Sequence, residues 1–239
     1  MLTAEELATR IQRVQCAIAQ AAERSGRDPR AVRIVAVTKG MERPLIDLAY
    51  QLGLRIFGEN RLQEAQEKFG NVPLPSDAAL HLIGHLQTNK VRIAVRLFSM
   101  IHSVDRLPLV HELERRCEHL GRRMPVLIQV NVAREPQKHG CTPEEAPSLV
   151  EAVLASAHLD LRGLMTIAPL TAHAEEVRPV FRQLRRLRDD LEQRFGISLP
   201  ELSMGMTNDF TIAVEEGATL VRIGRALFGE RDGGNPLVR

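Results

Sequence analysis

The chain has 239 residues, 44% hydrophobic and 26% charged, with a formal net charge of +2. That size suits one large α/β domain or two smaller ones, and so small a net charge is no nucleic-acid signature. Aromatics make up 3%, with Tyr50 the single tyrosine and no tryptophan, so the core must be aliphatic and no base-stacking platform is available.

The first predicted element is a helix. Thr3 followed by Glu6 is a capping-box pattern, and Leu7, Ile11, Val14, Ile18 and Ala21 recur on one face before Ser25-Gly-Arg-Asp-Pro29 ends the run. The acidic N-terminus carries no signal-peptide pattern, and no apolar stretch approaches the ~20 residues that span a bilayer. Cys16, Cys117 and Cys141 are odd in number and lack CxxC spacing, so a reducing, cytoplasmic setting is expected.

Past this helix, short apolar runs alternate with amphipathic stretches. Eight runs predict strands, at residues 33–38, 54–57, 80–84, 100–104, 126–132, 161–167, 201–204 and 220–223. Between them, Val110, Leu113, Cys117 and Leu120, and later Val177, Val180, Phe181, Leu184, Leu187 and Leu191, keep a helical period. Arg182, Arg185, Arg186 and Arg188 lie among Glu175, Glu176, Asp189, Asp190 and Glu192, which reads as a solvated helix face. Several strands are apolar on both faces, as parallel strands covered by helices are. Eight βα units in this length predict an α/β fold: a single TIM (β/α)8 barrel with an additional N-terminal helix, residues 1–239 forming one domain. A doubly wound sheet normally has fewer strands, and no GxGxxG follows the first strand.

In such a barrel, function gathers at the C-terminal ends of the strands. Of 32 basic residues only Lys39, Lys68, Lys90 and Lys138 are lysine. Arginine stays protonated near neutral pH whereas lysine can supply an amine, so Lys39, closing the first strand, is a candidate for a Schiff base with a carbonyl compound. A lysine snorkelling from a strand end fits the same position. Ser203-Met-Gly-Met-Thr207 precedes a predicted helix at 210–216, and Gly224-Arg225-Ala226 is a tight strand-to-helix turn. Loops after strands seven and eight commonly hold phosphate in these barrels. Strand eight adjoins strand one on closure, so a phosphorylated aldehyde would fit between cradle and amine, and pyridoxal 5′-phosphate (PLP) is the candidate.

Other constellations point elsewhere. His81 and His85 lie on a strand and its loop rather than on one helix face, and no HExxH or Cys/His zinc spacing occurs, so no metal site is expected. Cys141 beside His139 is expected to be a surface thiol. Glu59 suits either an acid or base at the mouth or a carboxylate paired with a barrel arginine.

Ile34-Val-Ala-Val-Thr-Lys39, Phe57-Gly-Glu-Asn60, His81-Leu-Ile-Gly-His-Leu-Gln-Thr-Asn-Lys90, Arg162-Gly-Leu-Met165, Leu202-Ser-Met-Gly-Met206 and Val221-Arg-Ile-Gly224 with Phe228-Gly229 occur in this order. In these motifs the chain resembles the pyridoxal phosphate homeostasis protein (YggS/PROSC) family, from about residue 5 to residue 231. The resemblance implies a fold-type III PLP protein, a barrel like the N-terminal domain of alanine racemase. It implies that Lys39 forms the Schiff base and that Ser203, Thr207, Gly224 and Arg225 surround the phosphate. It places Asn60 near the cofactor ring and Arg222 opposite the pyridine nitrogen. A cationic partner disfavours protonation of that nitrogen, and an unprotonated ring is a weaker electron sink.

Three departures from the family pattern stand out. Thr38 replaces serine and Gly40-Met41 replaces Thr-Lys-Pro, which removes a second lysine beside Lys39. Thr207-Asn208-Asp209 replaces a serine-rich turn, and Arg225 stands where threonine is common. The function expected is PLP homeostasis without robust catalysis: buffering the cofactor and delivering it to PLP-dependent apo-enzymes, with Lys90 and Lys138 as rim amines that default to solvated surface lysines. The alternative, a PLP-dependent amino-acid racemase, needs a base on each face of the substrate carbon. Known racemases of this fold take the second base, a tyrosine, from another domain, and Tyr50 is predicted on a helix away from the mouth. Strand-six lysine aldolases are a further comparison, but Met165 occupies that place. No nucleic acid or membrane partner is expected, and a monomer is.

Overall fold

Residues 2–171 and 173–229 are described in a computed structural model of the chain. All eight apolar runs become strands: β1 (Arg33–Val37), β2 (Ile56–Glu59), β3 (Ala79–Leu82), β4 (Met100–Val104), β5 (Met124–Gln129), β6 (Leu159–Met165), β7 (Glu201–Met206) and β8 (Leu220–Ile223). They form a closed parallel barrel in sequence order, shut by β1 pairing with β8. The helices are α1 (Ala4–Arg24), α2 (Arg43–Gln51), α3 (Leu62–Phe69), α4 (Val91–Leu97), α5 (Leu107–His119), α6 (Ala146–Leu154), α7 (Arg178–Phe195), α8 (Phe210–Glu215) and α9 (Arg225–Phe228).

Alternation along the strands explains why both faces read as apolar. Val35, Val37, Ile83, Leu127, Met165 and Leu220 pack together in one cluster inside the barrel. Residues of opposite parity, such as Ala36, Phe57, Leu82, Ile101, Val126 and Ile128, join the larger core between barrel and helices. Each fully buried aliphatic side chain stabilises the fold by about 1.5–3 kcal/mol.

Strand boundaries shift at β2, β5 and β6: β5 spans Met124–Gln129 and β6 Leu159–Met165, both earlier than expected, while β2 begins at Ile56 rather than Leu54 and runs on to Glu59. Leu54 instead donates its N–H to Ala49 O, closing the turn after α2, and pairing with β1 starts at Val35 and Ile56. Apolar character alone does not say where a run turns from loop into ladder. The capping box of α1 is formed in both directions, and its predicted stripe is buried. Leu120 falls beyond α5 and Val177 ahead of α7. Arg182 and Arg186 are exposed, as a solvated face should be, but Arg182 and Arg185 pair with the buried Glu216, and half-buried Arg188 pairs with Asp189 and Glu192, so the face is partly an interface. No helix among the described residues is long and apolar enough to cross a membrane.

Candidate functional site at the barrel mouth

Lys39 is exposed at the mouth, one residue past Thr38, whose N–H donates to Gly58 O (3.0 Å) and so continues the β1 ladder. The chain turns at once: Met41 N–H donates to Thr38 O at 2.9 Å, with Gly40 at φ +72°. Positive φ at the third position is what a type II turn needs from glycine, which gives a physical reason for Gly40 and puts Lys39 at the turn's second position.

This turn is clamped from behind by side chains outside the barrel wall. Lys68 of α3 donates to Thr38 O at 2.7 Å, Glu59 Oε1 at 2.8 Å and Glu64 Oε1 at 2.6 Å. Glu64 also accepts from Gly40 N–H, and Thr38 Oγ1 donates to Glu59 Oε1 at 2.6 Å. Glu59 is therefore a paired carboxylate, one of the two alternatives, but its partner is a lysine rather than a barrel arginine. Burial pushes its pKa up, against the pull of Lys68 and Thr38. The second amine that Gly40-Met41 removes from the sequence neighbourhood thus returns from α3. All three donors of its ammonium are used by these three acceptors.

Inside the barrel lies a second buried network. Arg222 Nη1 donates to Ser203 Oγ at 2.7 Å and Nη2 to Thr166 O at 2.7 Å. His102 Nδ1 lies 3.0 Å from Ser203 Oγ, and its Nε2 lies 3.0 Å from His81 Nδ1. The proton chain can run one way, from Arg222 to Ser203 to His102 to His81, with each histidine neutral. Burial lowers the Arg222 pKa to about 10, which leaves it cationic at neutral pH, with Asp209 partly offsetting the effect. The same burial lowers His81 to about 3 and holds His102 well below its ordinary 6.5.

The loops after β7 and β8 meet on the mouth. Gly205 has φ +91°, and a Cβ there would lie 2.5 Å from the Ala213 methyl, so only glycine fits. Asp209 closes the next turn: its Oδ1 accepts from Met206 N–H at 2.6 Å and its N–H donates to Met206 O at 3.0 Å. Thr207 sits within that turn, and its hydroxyl accepts from Ala226 N–H at 3.4 Å, joining the two loops. Gly224 caps the N-terminus of α9, and a Cβ there would meet Val37 Cβ only at an ordinary contact distance of 3.4 Å. Arg225 is exposed; with Thr207, Asn208 and the α1 arginines Arg10 and Arg13 it lines a cavity of about 510 Å³. Asn60, just past β2, has a buried Oδ1 with no hydrogen-bond partner.

Of the residues singled out by sequence, Lys39, Asn60, Thr207, Gly224 and Arg225 all lie at strand ends or in the loops beyond them. Ser203 does not join them: it is fully buried within β7, its hydroxyl taken by Arg222 and His102. Its place is one layer below the mouth, where it orients Arg222. Lys138 is not a solvated lysine either; it donates to Ala168 O at 2.9 Å and pairs with Glu135. Lys90 is exposed. Cys141 is buried with its thiol pushed up to about 12, so the expected surface thiol is absent. Tyr50 OH donates to Asp77 at 2.6 Å near the C-terminal end of α2, the end of the barrel opposite the mouth. Glu64 escaped the sequence reading, as did the roles of Lys68, His81 and His102. The scarcity of lysine was the one signal that could have flagged Lys68.

The family model described as alanine racemase, N-terminal domain, matches residues 11–232. A relative from Aquifex aeolicus (strain VF5), named pyridoxal phosphate homeostasis protein, is 43% identical over 222 residues, covering 93% of this chain and 97% of its own. The chain belongs to the pyridoxal phosphate homeostasis protein family. The solved structure of PipY from Synechococcus elongatus PCC7942, determined with PLP bound, resembles this family member at TM-score 0.78 and 37% identity, covering 93% of this chain and all of PipY. Alanine racemase of Clostridium difficile 630 matches at TM-score 0.71 but 14% identity, over 97% of this chain and 58% of the racemase. That likeness is one of fold, and it identifies the homeostasis-family barrel with the racemase N-terminal barrel.

Proposed function

We propose that the protein holds PLP as a Schiff base on Lys39 and serves in PLP homeostasis, buffering the cofactor and delivering it to apo-enzymes, without robust catalysis of its own. PLP would supply an electrophilic aldehyde carbon to the lysine amine. The residues present fit such a group. Thr207 and Arg225 offer a hydroxyl and a full charge to a phosphate, Gly224 makes the turn into α9 beside them, and Asn60 brings an unpartnered buried oxygen. The membership of the family and the PLP-bound PipY relative support the cofactor.

The observation that carries the non-catalytic reading is Arg222. It is a buried cation whose hydrogen bonds go to the neutral Ser203 hydroxyl and Thr166 carbonyl, so it keeps its charge. Set against the ring nitrogen, it would disfavour protonation there and weaken the ring as an electron sink. A racemase would also need a second base, and Tyr50 is bonded to Asp77 at the far end.

Borohydride treatment of the PLP-loaded protein should trap a covalent adduct and remove its visible absorbance band. Lys39→Ala should lose both the band and the adduct; a variant that kept them would rule Lys39 out. Incubation with amino acids in deuterated water separates the two functions, since robust α-hydrogen exchange would favour the racemase.

A further inference from the structure

We propose that the loops following β3, β4 and β5 form a binding site for one divalent transition-metal ion, with His85, Asp105 and His139 as ligands. One donor atom from each residue lies within 4.8 Å of the others. A tetrahedral ion bound at about 2.0–2.1 Å holds its ligand atoms roughly 3.4 Å apart, so the site closes when one of the two exposed imidazoles turns about its side-chain bonds.

The separation of His85 from Asp105 suits donors that share one ion. His85 Nδ1 and Asp105 Oδ2 are 3.8 Å apart, too far for a hydrogen bond but close to the separation of two atoms sharing one ion. The His85 and His139 rings lie stacked, 13° between planes and 3.9 Å between centroids, so one ring must swing out of the stack before both in-plane lone pairs reach one ion. Asp105 is fixed by its other oxygen: Arg106 Nη1 donates to Oδ1 at 2.6 Å, while Arg106 Nη2 donates to Leu86 O at 2.7 Å. The backbone at His139 is tied by Gln129 Nε2, which donates to its carbonyl at 3.0 Å. Such outer-shell bonds orient ligands before an ion arrives.

Two imidazoles and one carboxylate suit zinc, cobalt, nickel or ferrous iron rather than magnesium or calcium, which prefer oxygen donors. Three protein ligands leave at least one coordination position open. By strand order the site occupies the β3–β5 side of the mouth, apart from Lys39 on β1 and the loops of β7 and β8. Sequence spacing could not show it, because each ligand comes from a different loop.

The test is equilibrium dialysis of the untagged full-length protein against Co²⁺ as probe, with visible absorbance recorded. The expected result is saturable uptake of one Co²⁺ per chain with d–d bands, displaced by Zn²⁺ and not by Mg²⁺. His85→Ala and His139→Gln, checked for unchanged thermal unfolding, should each weaken uptake at least as much as the ~10–100-fold loss typical of an outer-shell partner. Cys16→Ser, which removes an exposed thiol, should leave it intact. Unsaturable uptake, uptake indifferent to both histidine variants, or uptake lost in Cys16→Ser would overturn the proposal. Both histidines are exposed in the loops, so neither variant depends on repacking the core.

Discussion

Two buried polar clusters flank the barrel mouth, one outside the β1–β2 wall and one inside the barrel, and they balance charge in opposite ways. The outer cluster sets Lys68 between the carboxylates of Glu59 and Glu64 and spends its remaining donor on the turn that carries Lys39. The inner cluster gives Arg222 a hydroxyl and a carbonyl, with two neutral histidines behind them. Compensated charge serves as a clamp, with only Glu59 Oε2 left buried and without a hydrogen-bond partner among its described groups. Charge offset only in part, by nearby Asp209, leaves a positive potential at the site above it. The first cluster therefore fixes where the amine stands, and the second sets the electrostatics a ligand would meet.

The most disruptive way to break this contrast is Lys68→Met. Glu59, fully buried, would then lose its cation, and losing one partner of a buried pair costs about 3–5 kcal/mol. Urea unfolding should show that loss at neutral pH and a partial recovery in Lys68→Met/Glu59→Gln. Acid should also relieve the single variant, because Glu59 already has a raised pKa and its protonated form needs no cation. A loss below about 1 kcal/mol would mean the clamp is not structural.

Acid acts on the inner cluster with the opposite sign. The folded pKa of His81 is about 3 against an ordinary 6.5, so the unfolded chain binds the extra proton first. This contribution is whole above pH 6.5 and is lost as pH falls toward 3, by about 1.4 kcal/mol per unit. His81→Asn should flatten the fall in urea midpoint over that window, and an unchanged slope would place the acid sensitivity elsewhere. Ser203→Ala should cost less, about 1–3 kcal/mol, by stripping a partner from both Arg222 and His102; a neutral result would remove Ser203 from the network. The smallest effect concerns the thiols. Cys117 and Cys141 are buried and pushed up to about 11 and about 12, so only Cys16 should react promptly with a thiol reagent in the native state. Prompt labelling of two or three would contradict that burial.

The barrel was legible because strand parity and helical period are local: Val35 and Val37 against Ala36, or Leu7 to Ala21 along α1, declare their faces without reference to the rest of the chain. The residues carrying Lys39, Thr207 and Gly224 were legible for the same reason, since each closes a strand or opens a loop. What stayed hidden depends on partners far away in sequence. Ser203 resembles a loop hydroxyl until Arg222 and His102 are seen on either side of it. Lys68 looks like a surface helix residue until α3 folds back over the turn at Gly40. Cys141 reads as exposed because its loop is polar, and only the packing around β5 encloses it.

The pairing of β1 with β8 has a consequence in time. Arg33 and Leu220 are register partners, yet nearly the whole chain separates them. At synthesis rates of about 5–20 residues per second, β1 waits roughly ten to forty seconds for the strand that closes the ring. Until then its edge is open and Lys39 has no β8 loops opposite it. A ribosome-bound chain therefore passes through a stage with nearly every element made and no mouth assembled. Closure is the step at which it becomes able to bind.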